Sequence, residues 1–219
     1  MPLASAGEPW VRWDWISDHG SDIATAARQH TELTAIAVGL GLLIAFPLAL
    51  AARRWRRLEA VTLAVTGVLF TIPSLALFAL FVPVYGLSRL TAEIGLVGYT
   101  LLILVRSILT GLRGVPADVR EAAQGMGYRP ARQLVVIELP LAVPVIAAGI
   151  RLATVTTIGL VTVTGLIGQG GLGAFIIQGI NFDFRTPVVV GSVLSVALAF
   201  VADAGLAGAQ RLLTPWARR

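Results

Sequence analysis

The chain alternates long uncharged stretches with short segments that contain arginine. Residues 33–52 form the clearest stretch, with 20 uncharged residues between Glu32 and Arg53. A helix of that length is about 30 Å long, which matches the hydrocarbon core of a bilayer. The pattern predicts five membrane-spanning helices, at about 33–52, 60–82, 94–112, 139–166 and 187–208.

The second stretch is longer than one span requires. Residues 60–88 carry no charge and contain Pro73, with Pro83 and Gly86 near the end. Two spans joined by a tight hairpin would need roughly 40 residues. We therefore expect a single helix, kinked at Pro73 and followed by a loop.

Composition supports a membrane protein and excludes several kinds of chemistry. Hydrophobic residues make up 56% of the chain, charged residues 13%, and the mean hydropathy is +0.82, whereas about a quarter of a soluble domain is charged. There is no cysteine, and two histidines are too few for a His-built metal cluster. All 17 basic residues are arginine, so the chain cannot supply the lysine of a phosphate-binding P-loop. We expect no catalytic, metal-binding or cofactor-binding residue, and any ATP chemistry must come from a partner.

The arginines also predict an orientation. With the amino terminus outside, 11 arginines fall on the inner side and four on the outer side, as the positive-inside rule requires. Arginines scattered between apolar runs do not form a nucleic-acid-binding face. We expect residues 1–30 to be an extracytoplasmic segment, either an interfacial helix bearing Trp10, Trp13 and Trp15 or a loop packed on neighbouring helices. Residues 213–219 are expected to be a basic cytoplasmic tail.

The segment 113–138, between the third and fourth spans, is too polar for the bilayer and has a helical pattern. Pro116 and the acid that follows it favour a helix start, and Gly125 and Gly127 favour its end. A second short helix is predicted to open at Pro130 and run to Glu138, before Leu139 and Pro140 turn the chain into the membrane. The result is a helix–turn–helix elbow, attached to membrane helices on both sides.

The elbow carries a family resemblance. Glu121, Ala122 and Ala123, then Gly127, then Ile137-x-Leu139-Pro140 (EAA, three residues, G, nine residues, IxLP) resemble the EAA motif of ATP-binding-cassette importer permeases. The resemblance implies an all-α transmembrane fold, the five-span type I (MetI-like) bundle. It also implies that the first elbow helix is a coupling helix that docks in a groove of an ATPase subunit.

On this resemblance the coupling residues are Glu121, Ala122, Ala123, Gly125 and Gly127. The implied partners are a second permease subunit, identical or homologous, two ATP-binding subunits that hold ATP and Mg²⁺, and an extracytoplasmic solute-binding protein. The alternative is an ordinary amphipathic loop between two spans.

Three further stretches resemble the permeases of glycine betaine, carnitine, choline and proline importers. They are 71–77 (TIPSLAL), 125–127 (GMG) and 165–173 (GLIGQGGLG). The resemblance extends over about residues 31–212. The glycine-rich run is shared with methionine-type importers, and 106–111 (RSILTG) departs from the branch, where Asn and Tyr are expected.

Three charged side chains lie within the predicted spans. Arg106 and Arg151 interrupt the third and fourth spans, and Asp203 lies near the end of the fifth. Intramembrane cations normally face protein, water or an acid, so we expect Asp203 to pair with Arg106 or Arg151. A structural clamp and a role in transport are both open.

The fourth span and the residues after it are candidates for the substrate path. Small residues and threonines make this span suited to a pore between two subunits, or equally to packing within one subunit. The glycine-rich run is expected to be an outer gate or a simple re-entrant loop. The candidate gate and path residues are Pro73, Ser74, Thr157, Gly168, Gly170, Gly171 and Gly173.

The sequence thus predicts a multi-pass permease of the cytoplasmic membrane that imports osmoprotectants. Few aromatic side chains lie at membrane depth to hold a quaternary ammonium group, so high-affinity recognition is expected in the binding protein and a low-affinity path here. The alternatives are a methionine-type importer, an ATP-independent secondary transporter or channel, and a membrane scaffold without transport.

Overall fold

The structure, a computed structural model, describes residues 9–218, and the side chains of the last two are outside the description. The first eight residues of the predicted extracytoplasmic segment and the final residue of the predicted tail also lie outside it. In the described part the chain is helical and contains no strand. Its α-helices are α1 Trp13–Asp18, α2 Gly20–Arg54, α3 Arg56–Thr71, α4 Ser74–Tyr85, α5 Arg89–Arg113, α6 Ala117–Gly125, α7 Pro130–Gln133, α8 Leu139–Thr164, α9 Gly171–Asn181 and α10 Arg185–Leu213.

Four helical segments in the described residues are long and apolar enough to cross a membrane. They are Gly20–Arg54, Arg89–Arg113, Pro130–Ile167 and Arg185–Leu213, and α3 with α4 makes a fifth if that pair counts as one broken span. The predicted all-α, five-span architecture is confirmed at this level. Each helix extends past its uncharged stretch because polar and charged residues at helix ends reach the aqueous interface.

The second span differs from its prediction as a single kinked helix. The helix ends at Thr71 and a new one begins at Ser74. Pro73 has an extended backbone, with φ −55° and ψ 134°, directly before α4. A proline cannot donate the backbone hydrogen bond that would continue α3, so the helix breaks where a kink was expected.

The fourth span differs from its prediction at its start. No turn occurs at Leu139 and Pro140, because a π-helical turn at Leu134–Glu138 connects α7 directly to α8. Leu139 has helical dihedrals of −62° and −49°. Pro140 lies in the first turn of α8, directly after the π-helical turn, and does not interrupt the run. The second arm of the elbow and the membrane helix therefore form one helical run.

Two elements near the glycine-rich run were not predicted in this form. A helix, α9, occupies part of the stretch expected to be loop, and Leu172 and Phe175 from it pack against Ala26 of α2. The predicted interfacial segment contains α1 and the first turns of α2. Trp15 of α1 contacts Phe175 edge to face at 5.8 Å, while Trp13 is exposed.

The described residues divide into two compact units. One contains residues 9–37, 72–96 and 155–201, and the other residues 38–71, 97–154 and 202–218. In the second unit Ala45, Ala49 and Ala52 of α2 pack with Val105 and Ile108 of α5. Small residues allow helix backbones to approach closely where the hydrophobic effect does not drive association.

Candidate functional site

The first arm of the elbow ends in a tightly hydrogen-bonded turn. Gly127 has a left-handed backbone with φ +78°, which costs a glycine little. Its N–H donates to the carbonyl of Gln124 at 2.9 Å, and the N–H of Tyr128 donates to the carbonyl of Ala123 at 3.1 Å. These are the two bonds of a Schellman motif. The turn that was predicted from the glycines is therefore well defined.

The predicted coupling residues divide into an exposed set and a buried one. Glu121, Ala122, Gly125 and Gly127 are exposed. Ala123 is fully buried, so it packs the elbow against its own chain and is not available to a partner. The structure adds Met126, which is 68% exposed at the tip of the turn. Its place between two glycines at the end of the first arm is the sequence signal that points to it.

The second arm is held by a buried polar cluster. The Gln133 side-chain nitrogen donates to Oε1 of Glu138 at 2.9 Å, and Arg53 at the end of α2 forms an ion pair with Oε2 of Glu138. Gln133 and Glu138 are both about 95% buried. We call Arg53, Gln133 and Glu138 the elbow clamp. The sequence alone does not reveal this cluster, because the three residues are distant in the chain or fall between motif positions.

An open cavity adjoins the elbow clamp. It has a volume of about 610 Å³ and is lined by residues of α2 and of the elbow, among them Arg53, Arg54, Gln124, Tyr128 and Gln133. Its polar walls carry two arginines, two amides, the ring of Tyr128 and the carboxylate of Glu138, and the rest of the lining is apolar. The cavity lies between the end of α2 and the elbow and is open to solvent.

The start of the elbow is anchored by a second ion pair. Arg113, the last residue of α5, donates to both carboxylate oxygens of Glu59 in α3, at 2.7 and 2.5 Å. Paired contacts of this type fix the orientation of a guanidinium group. The elbow thus begins and ends at ion pairs to neighbouring helices of the same unit.

The glycine-rich run is densely packed. The carbonyl of Gln169 accepts a hydrogen bond from the hydroxyl of Thr164 at 3.0 Å. At Gly173 a Cβ atom would lie 2.6 Å from Cα of Thr162, so no larger residue fits. Gly170, Gly171 and Gly173 are buried while Gly168 is exposed. Most of the run is therefore buried in protein, and its predicted role as a gate stays a prediction.

Of the two predicted partners of Asp203, the structure places Arg151 beside it. Nε and Nη2 of Arg151 donate to the two carboxylate oxygens of Asp203, each at 2.8 Å. Gln210, which sequence analysis missed, is 3.4 Å from Nη1 of Arg151 and donates to the carbonyl of Pro144 at 3.2 Å. Arg106 takes no part in this arrangement.

The remaining candidate path residues differ in exposure. Pro73 is exposed and Ser74 half-buried, whereas Thr157 is almost completely buried. Thr157 therefore packs within its unit and does not contribute to an open surface of this chain. The broken helix at Pro73 stays a candidate, because the proline at the break is exposed.

The comparisons with known proteins agree with the fold. Residues 37–217 match the family described as "Binding-protein-dependent transport system inner membrane component". The chain belongs to this family. The match includes the second half of α2, both arms of the elbow and the long helices after α2, so the family assignment applies to most of the membrane domain.

Several relatives cover almost the whole permease. It is 37% identical over 201 residues to the choline transport system permease protein OpuBB of Bacillus subtilis, with 92% of this chain and 93% of the relative covered. It is 36% identical to the osmoprotectant import permease protein OsmW of Salmonella typhimurium, with 92% and 96% covered. Identity to the carnitine transport permease protein OpuCB of Listeria monocytogenes is 35%, with 94% of each chain covered.

A solved structure shares the fold of the permease. A chain of the MetNI methionine ABC transporter, in an inward-facing conformation, superimposes with a TM-score of 0.74 at 19% identity and covers 88% of this chain and 96% of its own length. At that identity the likeness shows the fold alone. The predicted five-span MetI-like bundle is therefore confirmed, and the likeness carries no information on the transported solute.

Proposed function

We propose that this permease is the translocating subunit of an ATP-driven importer of osmoprotectants, namely glycine betaine, carnitine, choline or proline betaine. The single observation that carries the proposal is the exposed EAA-type elbow, rigidly held in a permease whose relatives at 35–37% identity transport choline, carnitine and osmoprotectants. The solute enters as a proposal from those relatives. The methionine-type alternative has only fold-level support.

The elbow is suited to receive force from a partner. Glu121, Ala122, Met126 and Gly127 form an exposed tip, and small residues permit close approach of another protein. The Schellman turn fixes the first arm relative to the tip, and the π-helical turn joins the second arm to α8. Displacement of the tip would therefore move α8 as well, because helices transmit displacement along their axes with little bending.

The proposed machine contains two permease subunits, two ATPase subunits and a solute-binding protein. ATP binding draws the ATPases together and moves both elbows, and hydrolysis resets them. This chain contributes no covalent step, and ATP and Mg²⁺ are held by the ATPase subunits. Arginine counting orients the amino terminus outside and the elbow and carboxyl terminus in the cytoplasm.

Transport of labelled solute tests the proposal. In cells expressing the complete importer we expect saturable, ATP-dependent uptake of at least one labelled osmoprotectant and no uptake of labelled methionine. Uptake that survives ATP depletion would favour a secondary transporter or channel, and uptake of methionine alone would favour the methionine-type importer. Absence of any transport would support the scaffold.

Copurification tests the elbow separately. We expect the ATPase to copurify with the tagged permease and to be lost when Glu121 and Met126 are both replaced by alanine. The matched control is Asp22→Ala, which removes an exposed carboxylate from the first turn of α2. Retention of the ATPase by the double variant, or equal loss in the control, would contradict the assignment of the elbow.

A further inference from the structure

Beyond its first two residues, Arg89 and Leu90, the exposed positions of α5 are all polar. Between Thr91 and Arg113 the only exposed side chains of this described helix are Arg106, Thr110 and Arg113. Their spacing of four and three residues places them on one side of the helix. We call these three residues the α5 polar face. All the apolar side chains of this part of the helix are buried or half-buried.

Other spans of the same chain have the opposite arrangement. The exposed side chains of α10 include Val193, Val196, Phe200 and Val201, which are 56–73% exposed. Exposed apolar residues of that kind are what a lipid-facing helix presents, since lipid tails solvate them. A helix whose apolar side is covered and whose open side is polar is arranged for contact with water.

The charges of the α5 polar face are not equivalent. Arg113 is neutralised by Glu59 through two hydrogen bonds. Arg106 forms no hydrogen bond or ion pair with any described residue. Asp203, which the sequence offered as a partner for either intramembrane arginine, forms its ion pair with Arg151. Arg106 lies seven residues before the end of α5, about 10 Å along the axis. An uncompensated cation at that depth in a span is costly unless it meets water or an anion.

We propose that the α5 polar face lines the aqueous translocation path, and that the Arg106 guanidinium binds the carboxylate of the passing solute. The inference rests on the proposed function and narrows its substrate class. Glycine betaine, carnitine and proline betaine carry a carboxylate, which an arginine can bind through two parallel hydrogen bonds. Choline carries only a cation, which Arg106 repels. The path therefore favours betaines over choline.

Labelling of single cysteines tests the path without reference to any solute. The chain contains no cysteine, so each introduced thiol reports one position. We expect Arg106→Cys and Thr110→Cys to react with a charged, membrane-impermeant methanethiosulfonate reagent. The reagent reaches an inward-open path in inverted vesicles and an outward-open path in cells. The controls Val196→Cys and Phe200→Cys should not react. Protection of both positions to the level of these controls would overturn the inference.

Uptake by charge variants tests the solute assignment. We expect Arg106→Gln to lower glycine betaine uptake by about 10-fold to 100-fold, the effect of losing a charged hydrogen bond, and Arg106→Lys to restore part of it. Choline uptake should be unchanged or higher in Arg106→Gln. Membrane abundance and ATPase copurification, measured in parallel, correct each rate for assembly.

The failures of the two proposals are distinguishable. If the wild-type importer takes up none of the osmoprotectants, the proposed function is refuted. The labelling result then decides on its own whether the α5 polar face meets water. Wild-type uptake of choline alone refutes the carboxylate assignment and leaves the proposed function standing. Equal losses of glycine betaine and choline uptake in Arg106→Gln, or a change smaller than twofold in both, also refute that assignment.

Discussion

Removing Arg53 and removing Glu138 from the elbow clamp should destabilise the permease to different extents. The side chain of Arg53 is 26% exposed and that of Glu138 only 5%. Removing Glu138 leaves a cation that water can still reach, whereas removing Arg53 leaves a carboxylate that is buried with a single hydrogen bond from Gln133. Truncation of the arginine should therefore be the more damaging change.

The magnitudes follow from the burial of the partner that remains. An uncompensated buried charge costs about 3–5 kcal/mol, so Arg53→Ala is expected near the lower end of that range because Gln133 still donates to Glu138. Glu138→Ala should cost about 1–3 kcal/mol, the usual effect of losing a charged hydrogen bond. The double variant should cost less than the sum, because neither charge is then left behind.

Thermal unfolding of the detergent-solubilised permease measures this difference. For a chain of this size about 1 kcal/mol corresponds to 2–4 °C in melting temperature. The difference of about 1 kcal/mol between the middle of the two expected costs should therefore place the melting temperature of Arg53→Ala about 2–4 °C below that of Glu138→Ala. ATPase activity of the complete importer should lose its dependence on solute in both variants if the clamp connects the elbow to α2. Equal or reversed melting temperatures, or strict additivity in the double variant, would refute the reasoning.

Three further expectations concern other residues of the permease. Gly173→Ala should prevent accumulation of folded permease in the membrane, since its Cβ would overlap the backbone of the preceding helix; normal accumulation on immunoblots would contradict this. Gly127→Ala should cost about 1–2 kcal/mol because of its positive φ, whereas Gly125→Ala, with open space and no such φ, should raise the melting temperature slightly or leave it unchanged. Asp203→Asn should destabilise the permease, and Arg151→Gln in the same chain should recover part of the loss; a double variant no more stable than Asp203→Asn would contradict the pair.

The elbow illustrates how far the sequence alone could go. The break at Gly127 was predictable, because glycine is the residue that tolerates a left-handed ending, and the structure has φ +78° there. The burial of Ala123 was not predictable, because Ala122 and Ala123 have the same side chain and only the packing of α6 distinguishes them. The π-helical turn at Leu134–Glu138 was likewise not predicted.

The charged residues within the spans also show what the sequence could and could not predict. Hydropathy identified Arg106, Arg151 and Asp203 as exceptional, because each interrupts an apolar run. It could not choose the partner of Asp203, because both arginines are distant in sequence. The tertiary structure pairs Asp203 with Arg151 and leaves Arg106 on the open side of α5, and the α5 polar face is visible only after burial is known.

The sequence determined the fold class and the family. Both follow from the order of the amino acids, through the number and length of the spans, the excess of arginine on one side of the membrane and the spacing of the EAA motif. Hydrophobic length and motif spacing are local quantities, and they can be read without knowing which helices are neighbours. The elbow clamp and the partner of Asp203 depend on contacts between residues far apart in the chain. Only the tertiary structure decided these, because helix packing selects among partners that the sequence leaves equivalent.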